Sequence, residues 1–193
     1  MAIPMNLWRD LPAGDDPPNL VNMIVEVISG SRDKYEYHRE WEVFVLDRVL
    51  HSSVVFPVEY GFIPRTWSED GDPLDIMALS YEPAEVGCLL KVRPIALLVM
   101  EDEAGVDHKV LSVPVSDPRF DGYTDLEDVH PHLLREIREF FEIYKRLEPG
   151  KWVKFRGWRG AEEAKRLISH AIDLYQREFT GPSSTSGRGR RSE

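Results

Sequence analysis

Cys88-Leu-Leu-Lys-Val-Arg-Pro-Ile-Ala-Leu-Leu-Val-Met100 runs through Glu101-Asp-Glu-Ala-Gly-Val-Asp107 into Lys109-Val-Leu-Ser-Val-Pro-Val115. Two runs of branched and aliphatic side chains flank a short acidic turn holding Ala-Gly, which reads as two strands joined by a hairpin. Pro94 lies inside the long first run. A proline cannot donate to a ladder, so the strand is expected to bend or to lie at an edge there. Upstream the same pattern recurs at Val21–Ile28, Lys34–His38, Glu42–Arg48, Tyr60–Ile63 and Leu74–Leu79, each bounded by Gly, Pro, Asp or Ser. Downstream the apolar period lengthens to that of a helix. In Pro131–Leu147 the residues Leu133, Leu134, Ile137, Phe140, Phe141 and Tyr144 share one face. In Ala161–Phe179 the residues Ala164, Leu167, Ile168, Ala171, Ile172, Tyr175 and Phe179 do the same, and Gly181-Pro182 is expected to stop that helix. Strands first and helices last predict an α+β fold, a small antiparallel barrel covered by two main C-terminal helices.

The chain has 193 residues, enough for one core. Residues 181–193 are Gly, Ser, Thr, Pro and Arg apart from Glu193, and read as a flexible tail. Residues 1–20 hold four prolines and few apolar residues, and read as an extended, loosely attached leader. A single domain over 1–180 is expected. The net charge is −10 from 34 acids and 24 bases. Such an acidic chain repels phosphate backbones and anionic membranes, so no nucleic-acid and no membrane partner is expected. The longest purely apolar run is six residues, Ile95–Met100, against the roughly 20 a membrane span needs. No secretory signal pattern is read in residues 1–18. One cysteine, Cys88, excludes an intrachain disulfide and fits a cytoplasmic protein.

Two acidic windows concentrate the chemistry. Residues 69–75 read Glu-Asp-Gly-Asp-Pro-Leu-Asp and residues 101–107 read Glu-Asp-Glu-Ala-Gly-Val-Asp, eight acids in fourteen residues against 34 in the whole chain. Crowded carboxylates call for counter-charge, and hard divalent cations suit their oxygens. An EF-hand reading fails. Counted from Asp70, position 5 is Leu74, position 6 is Asp75 and position 12 is Tyr81, where that loop needs an oxygen ligand, Gly and Glu. Taken alone, the first window reads equally as a solvated turn, and a charged hairpin turn is the commoner fate of a segment like the second. The neighbouring pattern favours a site: Asp107 and Lys109 share a strand face while His108 points away, and Lys34 and Glu36 likewise share a face. A metal-binding acid beside a cation suits a ligand that is itself an anion.

Taken in order, these blocks resemble the soluble (family I) inorganic pyrophosphatases. The resemblance rests on Asp70-Gly-Asp-Pro-Leu-Asp75, Lys34-Tyr-Glu36, Asp47-Arg48, Tyr60-Gly-Phe-Ile-Pro64, Asp102-Glu-Ala-Gly-Val-Asp107 with Lys109, Phe140-Phe-Glu-Ile-Tyr-Lys145 and Gly150-Lys-Trp-Val-Lys154. It runs from about Glu26 to about Tyr175. It implies an OB-like five-stranded barrel flanked by helices, and hydrolysis of pyrophosphate to two phosphates with several Mg²⁺ ions, Mn²⁺ or Zn²⁺ serving as substitutes. By that pattern Asp70, Asp75 and Asp107 hold the first metals, and Asp102 helps hold metals arriving with substrate. Glu26, Glu36 and Glu103 are supporting acids around the same cavity. Lys34, Arg48, Tyr60, Lys109, Tyr144 and Lys145 contact substrate phosphates, and Asp72 is the general base. A homo-oligomer, a hexamer by resemblance, is also implied. The chain departs from the pattern at Phe56-Pro57, where many members read Tyr-Pro, so Phe56 is left out of the site.

The residue types suit that chemistry. Pyrophosphate repels an attacking hydroxide, and metals with fixed cations offset that charge. Arg48 can hold phosphate bidentately and lysine acts as a point charge. A nucleic-acid-binding barrel needs a basic groove, which this sequence lacks. A structural Ca²⁺ protein would bind metal without releasing phosphate. A nucleotide phosphohydrolase would be expected to carry a glycine-rich phosphate loop or a base-stacking platform, and none stands out.

Overall fold

The computed structural model describes residues 5–180. Along them come strands β1 (Val21–Val27), β2 (Asp33–His38), β3 (Val43–Val49), β4 (Glu59–Phe62), β5 (Asp75–Ala78), β6 (Leu89–Asp102), β7 (Gly105–Val106) and β8 (Lys109–Pro114). Helix α1 (Pro131–Ile143), strand β9 (Val153–Gly160) and helix α2 (Ala161–Tyr175) follow. Strands β1, β4, β5, β8 and β6 pair in that order, and β6 pairs back onto β1, so five strands close a ring. This is the expected OB-like arrangement. Four of its pairings are antiparallel, while β5 and β8 run parallel, with Ile76 opposite Val110. Strands β2 and β3 form a separate hairpin.

The 14-residue β6 spans the whole molecule. On one edge it pairs with β1 up to Val92 and with β9 from Ala96 onward. Pro94 falls between those two partners, where the register with β8 also slips. The proline is tolerated where its missing N–H breaks neither of these two ladders. Alternate side chains face two clusters. Met77, Leu98 and Leu111 pack with Ile137, Phe140 and Phe141 of α1, whereas Ile76, Leu97 and Val110 pack with Ala164, Ile168 and Ala171 of α2. Strands buried on both sides read as unbroken apolar runs, which is why Ile95–Met100 lacks polar alternation.

Helix α1 starts with Pro131 at its first turn and ends at Ile143, short of the expected Leu147, which is exposed. Helix α2 is preceded by Gly160, which has no side chain to cap it. Asp125 Oδ1 accepts from Ala161 N at 2.8 Å instead. The α-helix itself ends at Tyr175, short of the expected Phe179, and Gln176–Thr180 continue as a π-helical turn; the stop expected at Gly181-Pro182 and the tail 181–193 lie outside the described residues. Strand β9 is not among the sequence expectations, although Val153, Phe155 and Trp158 alternate with Lys154, Arg156 and Arg159. Gly157, at φ +134°, shifts that alternation by one.

The loosely attached leader is corrected for residues 5–20. Trp8 is buried, its Nε1 donates to the Thr66 carbonyl at 3.0 Å, and its ring meets Trp67, Tyr175 and Phe179. Asn6 is buried as well and donates to the Arg39 carbonyl at 2.8 Å. A few anchoring side chains outweigh a proline-rich composition, because one buried indole removes 150–250 Å² of surface from water.

Candidate active site

Parallel pairing of β5 with β8 puts the start of both strands on one rim of the ring. The acidic turn that leads into β5 therefore lies beside Asp107 and Lys109, which lead into β8. The turn is tied to the body at several points. Thr66 Oγ1 accepts from Leu74 N at 2.9 Å, Ser68 N donates to the Asp72 carbonyl at 2.8 Å, and Gly71 takes φ +90°. Strand β6 ends on the same rim at Asp102, whose Oδ1 accepts from Ala104 N at 2.8 Å and shapes the second turn.

These elements enclose one cavity of about 380 Å³. Every residue named above as catalytic, metal-holding, substrate-contacting or supporting lines it. Glu26 comes from β1, Lys34 and Glu36 from β2, Arg48 from β3 and Tyr60 from β4. Tyr144 and Lys145 follow the last turn of α1. Phe56 is not part of the lining. It is buried in the core against Tyr60 and Phe140. The sequence reading missed Arg39 and Lys151, which also line it. Lys151 lies in the quoted Gly150-Lys-Trp block. Arg39, just past β2, gives no local signal.

Ion pairs organise the cavity. Lys109, almost wholly buried, donates to Asp75 Oδ2 at 2.6 Å, Asp107 Oδ1 at 2.8 Å and the Tyr60 hydroxyl at 3.1 Å. Lys145 donates to Asp102 Oδ2 at 2.6 Å and Lys151 to Glu103 Oε1 at 2.5 Å. Lys34 pairs with Glu36, and Arg48 pairs with Asp47 and donates to Glu148 Oε1 at 2.9 Å. Arg39 donates to Asp72 Oδ1 at 3.0 Å.

The charges perturb one another. Burial pushes Glu26 up to about 8, against the Tyr37 N–H that it accepts. Burial pushes Asp70 up to about 6, and the charges of Asp75, Asp72 and Asp107 add to this. Asp72 is raised by the same desolvation, with Arg39 pulling it back. Burial alone would lower the Lys109 ammonium, but Asp107 and Asp75 outweigh it and hold it well above the usual lysine range. Burial raises the Tyr60 and Tyr144 hydroxyls, so both stay protonated donors at neutral pH. Burial would raise Glu103 too, but Lys151 and nearby N–H donors hold it down at about 2.

Among the described residues no three His, Cys, Asp or Glu side chains are drawn together tightly enough to cage a cation as they stand. Lysine ammoniums stand between the acids instead. The donor set nonetheless fits hard divalent cations: Asp70, Asp75, Asp102 and Asp107 offer carboxylate oxygens to one cavity, and burial, with neighbouring acids adding to it, already disfavours the charged form of Asp70. Acids that can take up cations, facing fixed Lys and Arg, can draw in a multiply charged anion despite the acidic excess.

A five-stranded ring whose rim cavity sets acids beside fixed cations suits a class of protein that handles multiply charged phosphate groups. The model of the family described as inorganic pyrophosphatase matches residues 23–176. The chain is 46% identical over 175 residues to the inorganic pyrophosphatase of Haloferax volcanii, covering 91% of this chain and 99% of that one. It is 47% identical over 165 residues to that of Aeropyrum pernix, covering 84% and 94%. The crystal structure of the inorganic pyrophosphatase from Thermus thermophilus superposes with a TM-score of 0.87 at 45% identity, over 89% of this chain and 99% of that one. This chain belongs to the inorganic pyrophosphatase family.

Proposed function

We propose that this chain catalyses the Mg²⁺-dependent hydrolysis of inorganic pyrophosphate to two phosphates. One observation carries the reading: the 70–75 turn and the 102–107 turn open into one cavity, with Lys109 between Asp75 and Asp107. Asp70, Asp75 and Asp107 would hold the first Mg²⁺ ions, and Asp102 those that arrive with substrate. Bound there, the ions would make a water more acidic and screen the substrate's charge. Glu26, Glu36 and Glu103 support that acidic wall.

Lys34, Arg48, Lys109 and Lys145, with the hydroxyls of Tyr60 and Tyr144, bind the phosphate oxygens and orient the phosphoanhydride. Asp72 accepts the proton of the attacking water as its oxygen bonds to one phosphorus. The bridging oxygen then leaves with the second phosphate. The cations facing the departing group stabilise the charge it gathers. Residues 1–180 act as one catalytic unit in this reading, in a cytoplasmic homo-oligomer, a hexamer. Apolar side chains exposed on β3, among them Val43, Leu46 and Val49, favour association. Among the described residues no helix is long and apolar enough to cross a membrane.

Phosphate release from pyrophosphate, with and without Mg²⁺, is the test. Release that needs Mg²⁺ is expected, with ATP a far poorer substrate. Metal binding without phosphate release would overturn the proposal in favour of a structural metal site.

A further inference from the structure

Asp72 is the most exposed of the cavity aspartates whose ion pairs are described, its side chain 71% accessible. An aspartate so exposed on a tight turn samples several rotamers unless something holds it. Among the described residues its side chain has one ion-pair partner, Arg39, whose Nη2 donates to Asp72 Oδ1 at 3.0 Å and to the Gly71 carbonyl at 3.2 Å. One nitrogen thus ties the carboxylate to the backbone of its own turn.

Arg39 is itself fixed. Its guanidinium lies 5.1 Å from the Trp8 ring centroid and 4.6 Å from that of Trp67. Trp8 is anchored on Thr66, and Trp67 N donates to the Ala171 carbonyl of α2 at 2.9 Å. Two indoles from separate segments, their ring centroids 5.6 Å apart, therefore form a shelf under a cation that reaches the acidic turn. Cation–π contacts of this kind contribute about 0.5–2 kcal/mol each.

We propose that Arg39 is a positioning residue for Asp72, holding its carboxylate in one orientation at the cavity wall from its seat on the Trp8–Trp67 shelf. This rests on Asp72 being the proton acceptor. A general base displaced by about 1 Å can lose roughly 100-fold in rate.

Arg39→Met tests it, because the unbranched stem can still pack over the two indoles but carries no donor. The expected result is a fall in kcat of roughly 10- to 100-fold. KM for pyrophosphate and the midpoint of the Mg²⁺ titration should stay within about twofold, and Arg39→Lys should regain part of the loss through a single donor. In an Asp72→Asn background Arg39→Met should add no further loss, since both changes act through one group. Unchanged kcat, a raised KM with kcat intact, or losses that multiply in the double variant would each overturn the proposal. Indole fluorescence and Tm check folding. If Arg39→Met unfolds, Arg39→Gln carries the same comparison of kcat against KM. Wild-type turnover in Asp72→Asn would sink the underlying reading, whereas an impaired Asp72→Asn beside an unimpaired Arg39→Met would sink only the role of Arg39.

Discussion

Replacing Lys109 by methionine removes the charge at the centre of the cavity and keeps most of the stem. Lys109 is 2% exposed and gives charge-assisted hydrogen bonds to Asp75 and Asp107 at 2.6 and 2.8 Å. Each such bond contributes roughly 1.5–3 kcal/mol. The desolvation of the ammonium offsets part of the sum. Breaking a buried pair usually costs about 3–5 kcal/mol, because the abandoned partner remains charged. Here Asp75 keeps 27% of its side chain in water, which softens the penalty towards the lower end. The expected loss is therefore about 3 kcal/mol in metal-free protein, roughly two decades in the folding equilibrium. With a urea slope of about 2 kcal/mol per molar, the midpoint should fall by about 1.5 M in chelator. Added Mg²⁺ should recover part of that fall by binding the exposed carboxylates of the folded state. A midpoint shift under about 0.5 M without metal would refute the view that Lys109 is the counter-charge of this wall.

Lys34→Ala should raise KM for pyrophosphate about tenfold or more with a smaller effect on kcat, read from steady-state phosphate release; unchanged kcat/KM would place Lys34 outside the substrate path. Trp8→Ala should destabilise the protein by roughly 3–5 kcal/mol, as for other buried aromatic truncations, and a Tm within about 1 °C of wild type would restore the loose leader. Asp128 accepts from Thr124 N, Thr124 Oγ1 and Asp125 N at 2.8, 2.9 and 3.0 Å, and those donors hold its carboxyl below the usual range. A depressed folded pKa gives stability that is present above the unfolded value, about 3.9, and lost as pH falls through the folded one. The Tm gap between wild type and Asp128→Asn should therefore be full at pH 7 and shrink below about pH 4. A gap of equal size near pH 3 would contradict the charge argument.

Much of the candidate site was legible because its signals are local. Asp70, Asp72 and Asp75 crowd one turn, and Asp107 and Lys109 share a strand face by the period-two rule. Arg39 was not legible. Its role depends on two tryptophans 31 positions before it and 28 after it in the chain, and on a turn 33 residues away. Nothing at position 39 itself marks it. Trp8 escaped notice for a related reason: composition averages a segment, whereas burial is decided by the one side chain that finds a socket.

The sequence by itself determined most of the strands, the two helices, the acidic turns and the residue types available for chemistry, since backbone preference and side-chain periodicity act over a few neighbours. Only the tertiary structure decided that β5 lies parallel to β8, which sets Asp75 and Lys109 on one rim and turns separate acidic windows into a single cavity. Strand pairing is chosen by ring closure and by packing on both faces of the sheet. Those are properties of the whole chain, and no window of residues encodes which distant strand will become its neighbour.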